Sequence, residues 1–446
     1  MDNVIDLVDQ TAFLGERATG TINLLQSVWI YNHGIDLDGL RRFHRHLQRG
    51  RLSRRIERSR LPFGRHRWVA PRDQSALEII ETPRAREEFD AWASEQANTG
   101  LDAEHGPGWH LAVVPFTDGG AGVSFVISHS LIDGVGLCEA LADAATGRHD
   151  PITWPAAGSR RRWHALGEDA RQTARDIPAI GRAVAAAAAY ATRGTQAPSA
   201  PRAPFTGPDE RVDLPKATFF VDADEWDGRA HALGGTSNAL LAGLAGGLAQ
   251  RLGRVAGDGL ATLAIPVNNR TDGDTRANAI TSVDIRVDPA GAPADLREIR
   301  TAIKQALVRH QEVPDERLAL LPLAPLMPRW LVRRMAGVAL GDATTSGSSN
   351  LGAVNPAANR PDGTDADCFA VRLLVPGVTK ATVHQTGGLL GLLSGRAHGR
   401  VFVSVVAYGA GRTDSNDVLR QHISSVLRDF SLTASIGWPC RPPARA

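Results

Sequence analysis

Short stretches rich in β-branched and aromatic residues alternate along the chain with longer stretches in which apolar residues recur at the spacing of an amphipathic helix. In the N-terminal part this pattern predicts strands and helices in turn. It also predicts a hairpin whose turn contains Asp118 and Gly119, because glycine tolerates the positive φ of tight hairpin turns. The predicted strands cover residues 21–31, 109–116 and 122–128, and the predicted helices cover residues 37–48 and 134–145.

Residues 147–208 differ in composition from the parts on either side. Prolines and arginines come first, a long alanine-rich helix is predicted over residues 163–192, and a proline-rich stretch follows over residues 197–208. Beyond them, strands are predicted over residues 217–221, 261–266, 280–287, 368–375, 388–395 and 401–408, and helices over residues 237–255, 294–311 and 415–430. We therefore predict two mixed α/β lobes, residues 1–155 and 213–446, joined by a linker over residues 156–212.

The composition of the 446-residue chain is close to the globular average, with 43% hydrophobic and 22% charged residues, which argues against a disordered or fibrous protein. No apolar run reaches the roughly 20 residues of a membrane-spanning helix. Three cysteines are too few for a disulfide framework, and three aspartates occupy the first nine residues, where a secretory signal would carry basic residues. We therefore expect a cytoplasmic protein.

The sharpest local feature is Ser-His-Ser-Leu-Ile-Asp-Gly at residues 128–134, where a predicted strand ends and a predicted helix begins. Side chains at such a junction project from the end of a sheet. His129 can act there as a general base, because an ordinary imidazole is mostly neutral near pH 7, and Asp133 can orient the histidine or its loop. The alternative from these residues alone is a capped turn with a structural, hydrogen-bonded histidine.

This motif resembles the His-x-x-x-Asp-Gly motif of the chloramphenicol acetyltransferase-like superfamily of CoA-dependent acyltransferases. That superfamily includes peptide-synthetase condensation domains, plant BAHD acyltransferases and bacterial wax ester synthase/diacylglycerol acyltransferases. Further segments along most of the chain are similar to the wax ester synthase branch. They are Asp-Gln-Thr-Ala-Phe-Leu at residues 9–14, Leu-Asp-Gly-Leu-Arg at 37–41, Arg-Trp-Val at 67–69, Pro-Phe-Thr-Gly-Pro at 204–208, Ser-Asn-Ala-Leu-Leu-Ala at 237–242, Ile-Pro-Val-Asn-Asn-Arg at 265–270 and Ser-Asn-Leu-Gly at 349–352.

The resemblance implies an α/β (α+β) protein with two similar lobes of the CoA-dependent acyltransferase fold. Each lobe would be a mixed sheet with helices, and a helical linker would join them, with a tunnel between the lobes. His129, in mid-tunnel, would take the proton from an acceptor hydroxyl or amine as the acceptor attacks a thioester, with no covalent acyl-enzyme. Ser349 and Asn350 are the implied oxyanion donors, and the alternative for them is an ordinary polar loop.

Other positions receive structural roles from the same resemblance. Asp133 is expected to form an ion pair with Arg270 that fixes the motif loop, and Gly134 to form the turn of the motif. The alternative for Arg270 is a solvated loop arginine. Ser128 replaces the first of two adjacent histidines found in many relatives, and we expect it to line the tunnel. After Ser349 and Asn350 the chain continues with Leu351 and Gly352, where relatives have Val-Pro-Gly. We therefore expect its substrate to differ from theirs.

Eleven arginines lie between residues 41 and 67, against one acid, Glu57. Such a cluster would attract the phosphates of coenzyme A, an acidic acyl carrier protein or an anionic membrane surface, and the alternative is a solvated face. Residues 328–339, which place arginines and a tryptophan among apolar residues, are compatible with peripheral membrane contact or with packing between the lobes. We expect no nucleic-acid partner.

Other reaction classes lack their motifs: the chain has no Walker-type phosphate loop, no Gly-x-Gly-x-x-Gly and no Gly-x-Ser-x-Gly. Cys138 is expected to be a packed thiol, and the histidines do not cluster at metal-ligand spacing. We expect no metal and no tightly bound cofactor, with acyl-CoA or a phosphopantetheine thioester as co-substrate.

Three functional hypotheses follow. The first is an acyltransferase that uses acyl-CoA and a hydroxyl of a small or lipidic acceptor. The second is a free-standing condensation-type enzyme that uses a carrier-bound thioester and an amine or alcohol, as in natural-product biosynthesis. The third is a non-catalytic binding relative with the same fold.

Overall fold

Two β-sheets with helices packed against them make up most of the chain in the computed structural model, which describes residues 3–148, 152–192, 205–271, 273–313, 316–333, 345–409 and 414–438. The strands are β1 (Leu24–Tyr31), β2 (Arg55–Glu57), β3 (Arg67–Val69), β4 (Leu77–Ile79), β5 (Trp109–Pro115), β6 (Ala121–Ser128), β7 (Lys216–Asp222), β8 (Ala261–Asn268), β9 (Ile280–Val287), β10 (Ser346–Ala353), β11 (Cys368–Leu374), β12 (Leu389–Ala397), β13 (Arg400–Tyr408) and β14 (Ser435–Ile436). The helices are α1 (Leu7–Thr19), α2 (Leu37–Leu47), α3 (Phe89–Glu95), α4 (Gly134–Thr146), α5 (Arg162–Thr192), α6 (Ala223–Ala232), α7 (Ser237–Arg251), α8 (Arg297–Glu312), α9 (Glu316–Ala319), α10 (Lys380–Thr386) and α11 (Asn416–Asp429).

The first sheet has the strand order β11-β1-β6-β5-β4. Every residue of β1 and of β6 is buried, which is typical of strands covered on both faces. The predicted hairpin is present, with Trp109 of β5 opposite Ile127 of β6. Phe43 of α2 and Leu141 of α4 belong to the same hydrophobic core. This core therefore fixes the end of β6 relative to the start of α4.

The second sheet has the strand order β14-β7-β13-β12-β10-β8-β9. β10 runs parallel to both of its neighbours, β12 and β8. Helix α7 lies between this sheet and α11, and it buries most of its length, from Ala239 to Gly246. Leu244 of α7 and Phe430, at the end of α11, belong to the core of this lobe. Each lobe thus has its own sheet and its own core, and the predicted two-lobe α/β fold class is confirmed. The tunnel between the lobes stays a prediction.

One strand from the C-terminal part of the chain lies in the first sheet. β11 pairs antiparallel with β1, with Trp29 opposite Phe369. The 3-10 turn Pro356–Asn359 that precedes β11 packs against α4, and the indole N–H of Trp29 donates to the carbonyl oxygen of Ala358 at 2.8 Å. Residues far along the chain therefore complete the first sheet, a feature that the predicted division at residues 155 and 212 does not include. The division itself stays a prediction.

The long alanine-rich helix of the predicted linker is α5, which begins one residue earlier than expected. Its Asp169 is buried and accepts a hydrogen bond from the hydroxyl of Ser59 at 2.8 Å. The same carboxylate pairs with Nη1 of Arg160 at 2.9 Å. These contacts attach the start of α5 to the N-terminal lobe. Residues 193–204, which include most of the predicted proline-rich stretch, lie outside the described residues.

Across the described ranges, the structure contains no helix with the length and apolar character that crossing a bilayer requires. The expected membrane segment, residues 328–339, is described only as far as residue 333. Within it, Trp330 is exposed. Peripheral membrane contact stays a prediction.

Several elements of the structure were not predicted from the sequence. They include the helices α1 and α6 and the three-residue strands β2, β3 and β4. The polar segment at residues 349–350, to which no strand was assigned from the sequence, is part of strand β10, where Ser349 stands in register with Leu393 of β12. The polar-loop alternative for these residues is therefore wrong. A strand of small polar residues forms here because its neighbours on both sides supply the backbone partners.

Helix α2 lies close to the segment before β11 at Gly39. A Cβ built at Gly39 would lie 1.9 Å from the backbone oxygen of Asp362. We expect Gly39→Ala to lower the free energy of unfolding by about 1–3 kcal/mol, because a backbone atom cannot yield as a side chain can. Gly15→Ala in α1 is the matched control, since nothing lies within 4 Å of that Cβ position. Chemical denaturation checks both, and equal stability of the two variants would contradict the expectation.

Candidate active site

His129 is the first residue of the turn that leads from β6 to α4. Of residues 121–133, all of which the structure describes, His129 alone is not buried. Its backbone N–H donates to the carbonyl oxygen of Asn23 at 2.9 Å, and its carbonyl oxygen accepts from the side-chain amide of Asn278 at 3.2 Å. The backbone is therefore held from both lobes, while part of the residue reaches solvent.

Two serines flank the histidine. Ser128 is 2% exposed, and its hydroxyl accepts the backbone N–H of Ser130 at 3.3 Å, which tightens the turn. The hydroxyl of Ser130 donates to Oε2 of Glu16 at 2.6 Å. The structure thus gives Ser128 a position inside the turn, and the expectation that it lines a tunnel stays a prediction.

Asp133 caps the N-terminus of α4. Its Oδ1 accepts the backbone N–H of Gly136 at 2.7 Å, and its Oδ2 accepts the backbone N–H of Ala279 at 2.9 Å. The backbone N–H of Asp133 donates to the carbonyl oxygen of Ala277 at 2.9 Å. The carboxylate therefore joins the motif to residues that follow β8, in the other lobe.

Arg270 faces this carboxylate. Its Nη2 lies 2.5 Å from Oδ2 of Asp133, and the two side chains are 4% and 2% exposed. The guanidinium also donates to the carbonyl oxygens of Arg276 and Ala277. The structure thus brings together the two residues that the resemblance pairs, in a fully desolvated ion pair rather than on a solvated loop.

The connection between β8 and β9 reaches the motif at a second place. Asp9 of α1 is buried, and its carboxylate accepts the backbone N–H groups of Ala277 at 2.8 Å and of Asn278 at 2.7 Å. Burial raises the pKa of Asp9 to about 6, although these two hydrogen bonds and the charge of Arg54 oppose the shift. Asn278 is the residue whose side chain also binds the carbonyl oxygen of His129. Asp9 therefore positions the segment that holds the histidine.

Arg54 is a buried cation beneath the motif. Its Nη2 donates to the carbonyl oxygen of Leu131 at 2.6 Å, and its Nη1 donates to that of Thr275 at 2.5 Å. The guanidinium carbon lies 4.2 Å from the ring centre of Trp68. Burial lowers the pKa of Arg54 to about 9, and the nearby carboxylate of Asp9 opposes this. Arg54 thus ties the turn of the first lobe to the β8–β9 connection of the second.

The predicted oxyanion residues lie near the motif through strand β10. A Cβ built at Gly134 would lie 2.7 Å from Cδ2 of Leu351, so the side chain of Leu351 covers the first turn of α4. The side-chain amide of Asn350 donates to Oδ1 of Asn238 at 2.6 Å, and its oxygen accepts the N–H of Gly352 at 2.9 Å. The end of β10 is therefore adjacent to the motif. The oxyanion role of Ser349 and Asn350 stays a prediction.

No protein-family model and no curated protein matches the sequence. The fold, in contrast, matches solved structures along almost its whole length. Trichothecene 15-O-acetyltransferase from Fusarium sporotrichioides matches with a TM-score of 0.60 and 12% identity, over 96% of this chain and 94% of that one. The first condensation domain of the CDA synthetase matches with a TM-score of 0.57 and 14% identity, over 98% of this chain and 99% of that one. The wax ester synthase/diacylglycerol acyltransferase from Marinobacter aquaeolei VT8 matches with a TM-score of 0.56 and 15% identity, over 96% of this chain and 100% of that one.

The chain has the fold that these condensation domains and acyltransferases share. The expectation that was drawn from the motifs is therefore confirmed at the level of fold. In this acyltransferase fold, the turn with His129 lies where the two lobes meet, because its backbone and its neighbours bind residues 275–279 of the second lobe.

The arginine-rich stretch between residues 41 and 67 does not form one uniform surface of the acyltransferase fold. Arg54 is buried beneath the motif, Arg58 pairs with Glu104 at 2.7 Å, and Arg67 contacts the buried Asp169. On α2, Arg41 is half exposed and pairs with Asp38. Several of these arginines thus have structural partners, and the attraction of an anionic donor or carrier to the others stays a prediction.

Cys138 is on α4, one helical turn after the motif, and it is 6% exposed. Burial raises the pKa of its thiol to about 12, and the carboxylates of Glu139 and Asp133 act in the same direction. A thiolate is therefore disfavoured at this position, and Cys138 is a packed side chain.

Three further residues of the site were not predicted from the sequence. Glu16, Arg54 and Asn278 all contact the motif turn or residues that hold it, and each comes from a distant part of the chain. Arg54 was counted only within the arginine cluster. A buried role for it was not visible, because the sequence alone does not show that Trp68 and the carbonyl of Leu131 surround its guanidinium.

Proposed function

We propose that this protein transfers an acyl group from a thioester to a hydroxyl or amine, with His129 as the general base. The observation that carries the proposal is the accessibility of His129 within a turn whose other residues are buried. A histidine with only a structural role would be expected inside, with its ring bonded to neighbours. The acyltransferase fold and the match to two named acyltransferases support the reaction class.

In the proposed reaction, the acceptor O–H or N–H gives its proton to the neutral imidazole of His129 while the acceptor atom bonds to the thioester carbonyl carbon. The resulting tetrahedral oxyanion then collapses, the C–S bond breaks, and the imidazolium returns the proton to the leaving thiolate. No atom of the enzyme becomes acylated. The passage that admits both substrates would run between the lobes, where the turn is held by residues 275–279.

The oxyanion needs hydrogen-bond donors, and the end of β10 is the place where we propose them. Leu351 touches Gly134, so Ser349 and Asn350 lie within two residues of a contact with the motif. One such donor contributes about 3 kcal/mol in other acyl-transfer enzymes. The side chain of Asn350 is fixed by Asn238 and by the N–H of Gly352, which keeps it from rotating freely.

Two donors remain as alternatives within this function. Acyl-CoA is the simpler one. A carrier-bound phosphopantetheine thioester is the second. The match to a condensation domain over 98% of this chain and 99% of that one supports this alternative. The matched structures include an acyltransferase and condensation domains, and one of the latter is a starter condensation domain in complex with C8-CoA.

The experiment measures free thiol release from a series of acyl-CoA thioesters and from the same acyl groups on a carrier protein, with a panel of alcohols and amines. Acceptor-dependent thiol release, with the acylated acceptor seen by mass spectrometry, is the expected result. The thioester that gives the higher kcat/KM, acyl-CoA or the acylated carrier protein, identifies the donor. No acceptor-dependent release from any thioester would overturn the proposal and would favour a non-catalytic binding protein.

A further inference from the structure

Glu16 joins two segments that adjoin the backbone of the candidate base. Glu16 is in the last turn of α1, and its Oε2 accepts the hydroxyl of Ser130, the residue after His129, at 2.6 Å. Its Oε1 accepts the backbone N–H of Asn23 at 3.1 Å. The carbonyl oxygen of Asn23 in turn accepts the backbone N–H of His129 at 2.9 Å. The carboxylate thus closes a ring of hydrogen bonds around the histidine backbone.

The charged groups near this turn differ in what they bind. The carboxylate of Asp133 is bound by Arg270, Gly136 and Ala279, and that of Asp9 is bound by Ala277 and Asn278. Both carboxylates therefore hold the β8–β9 connection in place. Arg54 donates to carbonyl oxygens, and Arg17 pairs with Asp102 and Glu104. Glu16, in contrast, is bonded to Ser130, which follows the histidine, and to Asn23, whose carbonyl oxygen accepts the backbone N–H of the histidine.

Electrostatics agree with this geometry. Burial raises the pKa of Glu16, and the hydrogen bonds from Ser130 and Asn23 and the charges of His129 and Arg17 oppose the shift. The hydrogen bond from Ser130, the residue next to His129, places the carboxylate of Glu16 near the histidine. Ion pairs in partly desolvated surroundings are screened less than surface pairs.

We propose that Glu16 is a positioning residue that fixes the turn carrying His129 and supplies the negative charge that stabilises the imidazolium of the reaction. This inference rests on the proposed function. The proton passes from the acceptor to the imidazole and then to the thiolate, and Glu16 neither gains nor loses a proton. Its charge is stabilising only while His129 is protonated, which is the condition for an effect on rate.

The decisive variant is Glu16→Gln, which keeps the side-chain size and removes the charge. The measurement is a pH titration of the His129 ring by NMR in the labelled full-length protein, with the signal assigned by its loss in His129→Ala. We expect the midpoint to move to lower pH by about one unit, because a nearby opposite charge favours the protonated ring. We expect kcat to fall roughly tenfold, with the acid limb of its pH profile moved in the same direction and KM little changed.

The matched control is Glu104→Gln. Glu104 pairs with Arg17 of α1 and with Arg58, and its side chain is 13% exposed. Its loss should leave the His129 midpoint within about 0.2 pH units of wild type, because it does not contact the motif turn. Glu16→Asp keeps the charge and should bring the His129 midpoint most of the way back to the wild-type value. It should not restore kcat, since the shorter side chain cannot reach both partners.

An unchanged midpoint or an unchanged kcat in folded Glu16→Gln would overturn the inference. If that variant does not fold, Ser130→Ala replaces it, and an unchanged kcat there would overturn the inference as well. The titration separates this inference from the proposed function, because it needs no turnover. Wild-type protein that releases no thiol refutes acyl transfer, and the midpoints still show whether Glu16 acts on His129.

Discussion

His129→Ala is expected to lower kcat for acyl transfer by about 10²–10⁴-fold, which is the contribution of a general base in other enzymes. Stability should change little. The turn is held by the backbone N–H and carbonyl oxygen of residue 129, which bind Asn23 and Asn278, and both bonds remain in the variant. The measurement combines initial rates of thiol release at saturating donor with thermal unfolding of the same samples.

The control for this prediction is His105→Ala, because the side chain of His105 is 71% exposed and lies outside the motif. It should retain wild-type kcat. Full activity in folded His129→Ala would remove His129 from the mechanism, and the reaction would then need another base. A lower unfolding temperature together with lost activity would instead give the histidine a structural role.

Arg270→Ala is expected to lower the free energy of unfolding by about 3–5 kcal/mol, because it leaves the buried carboxylate of Asp133 without its counter-charge. The effect should be large for a second reason. Arg270 also binds the carbonyl oxygens of Arg276 and Ala277, so its loss leaves further buried acceptors unsatisfied. Urea denaturation of the purified variant measures the change.

Arg251→Ala provides the comparison for the buried pair. Arg251 and Asp429 lie 2.7 Å apart in an ion pair of similar length, but their side chains are 35% and 47% exposed. The expected loss is below about 1 kcal/mol, since surface pairs are solvated and screened. Similar losses in the two variants would show that desolvation does not control the strength of the Asp133–Arg270 pair.

Strong local patterns predicted most elements of this fold. β9 was expected over residues 280–287 and occurs at Ile280–Val287, because alternating apolar residues follow the pleat of a sheet. α1 was not expected. Its buried residues include Asp9 and Gln10, so polar side chains stand where an amphipathic helix would show apolar ones. The apolar period of that helix is therefore broken by residues that bind other segments.

β10 was missed for a different reason. Serine, glycine and asparagine dominate Ser346–Ala353, and these residues favour turns when considered locally. The segment is extended because it lies between β12 and β8. Long-range pairing thus overrides local preference, and a single sequence contains no direct record of that pairing.

The site was predictable in part. The resemblance to a known motif gave His129, Asp133 and Arg270, and the structure places the last two in contact. Nothing in the sequence distinguished Glu16 from other charged residues, because its partners Ser130 and Asn23 meet it only after folding. Residues that act on a base through hydrogen bonds to its neighbours leave no spacing rule in the sequence.

The location of β11 has a consequence for synthesis on the ribosome. β1 is an interior strand only when β11 lies beside it, and β11 ends at Leu374. A nascent chain that has not yet been translated to Leu374 therefore exposes one edge of the first sheet, and an open edge is a template for pairing with other chains. Fragments that stop before β11 are therefore expected to aggregate more readily than the full-length chain, which light scattering of the two would show.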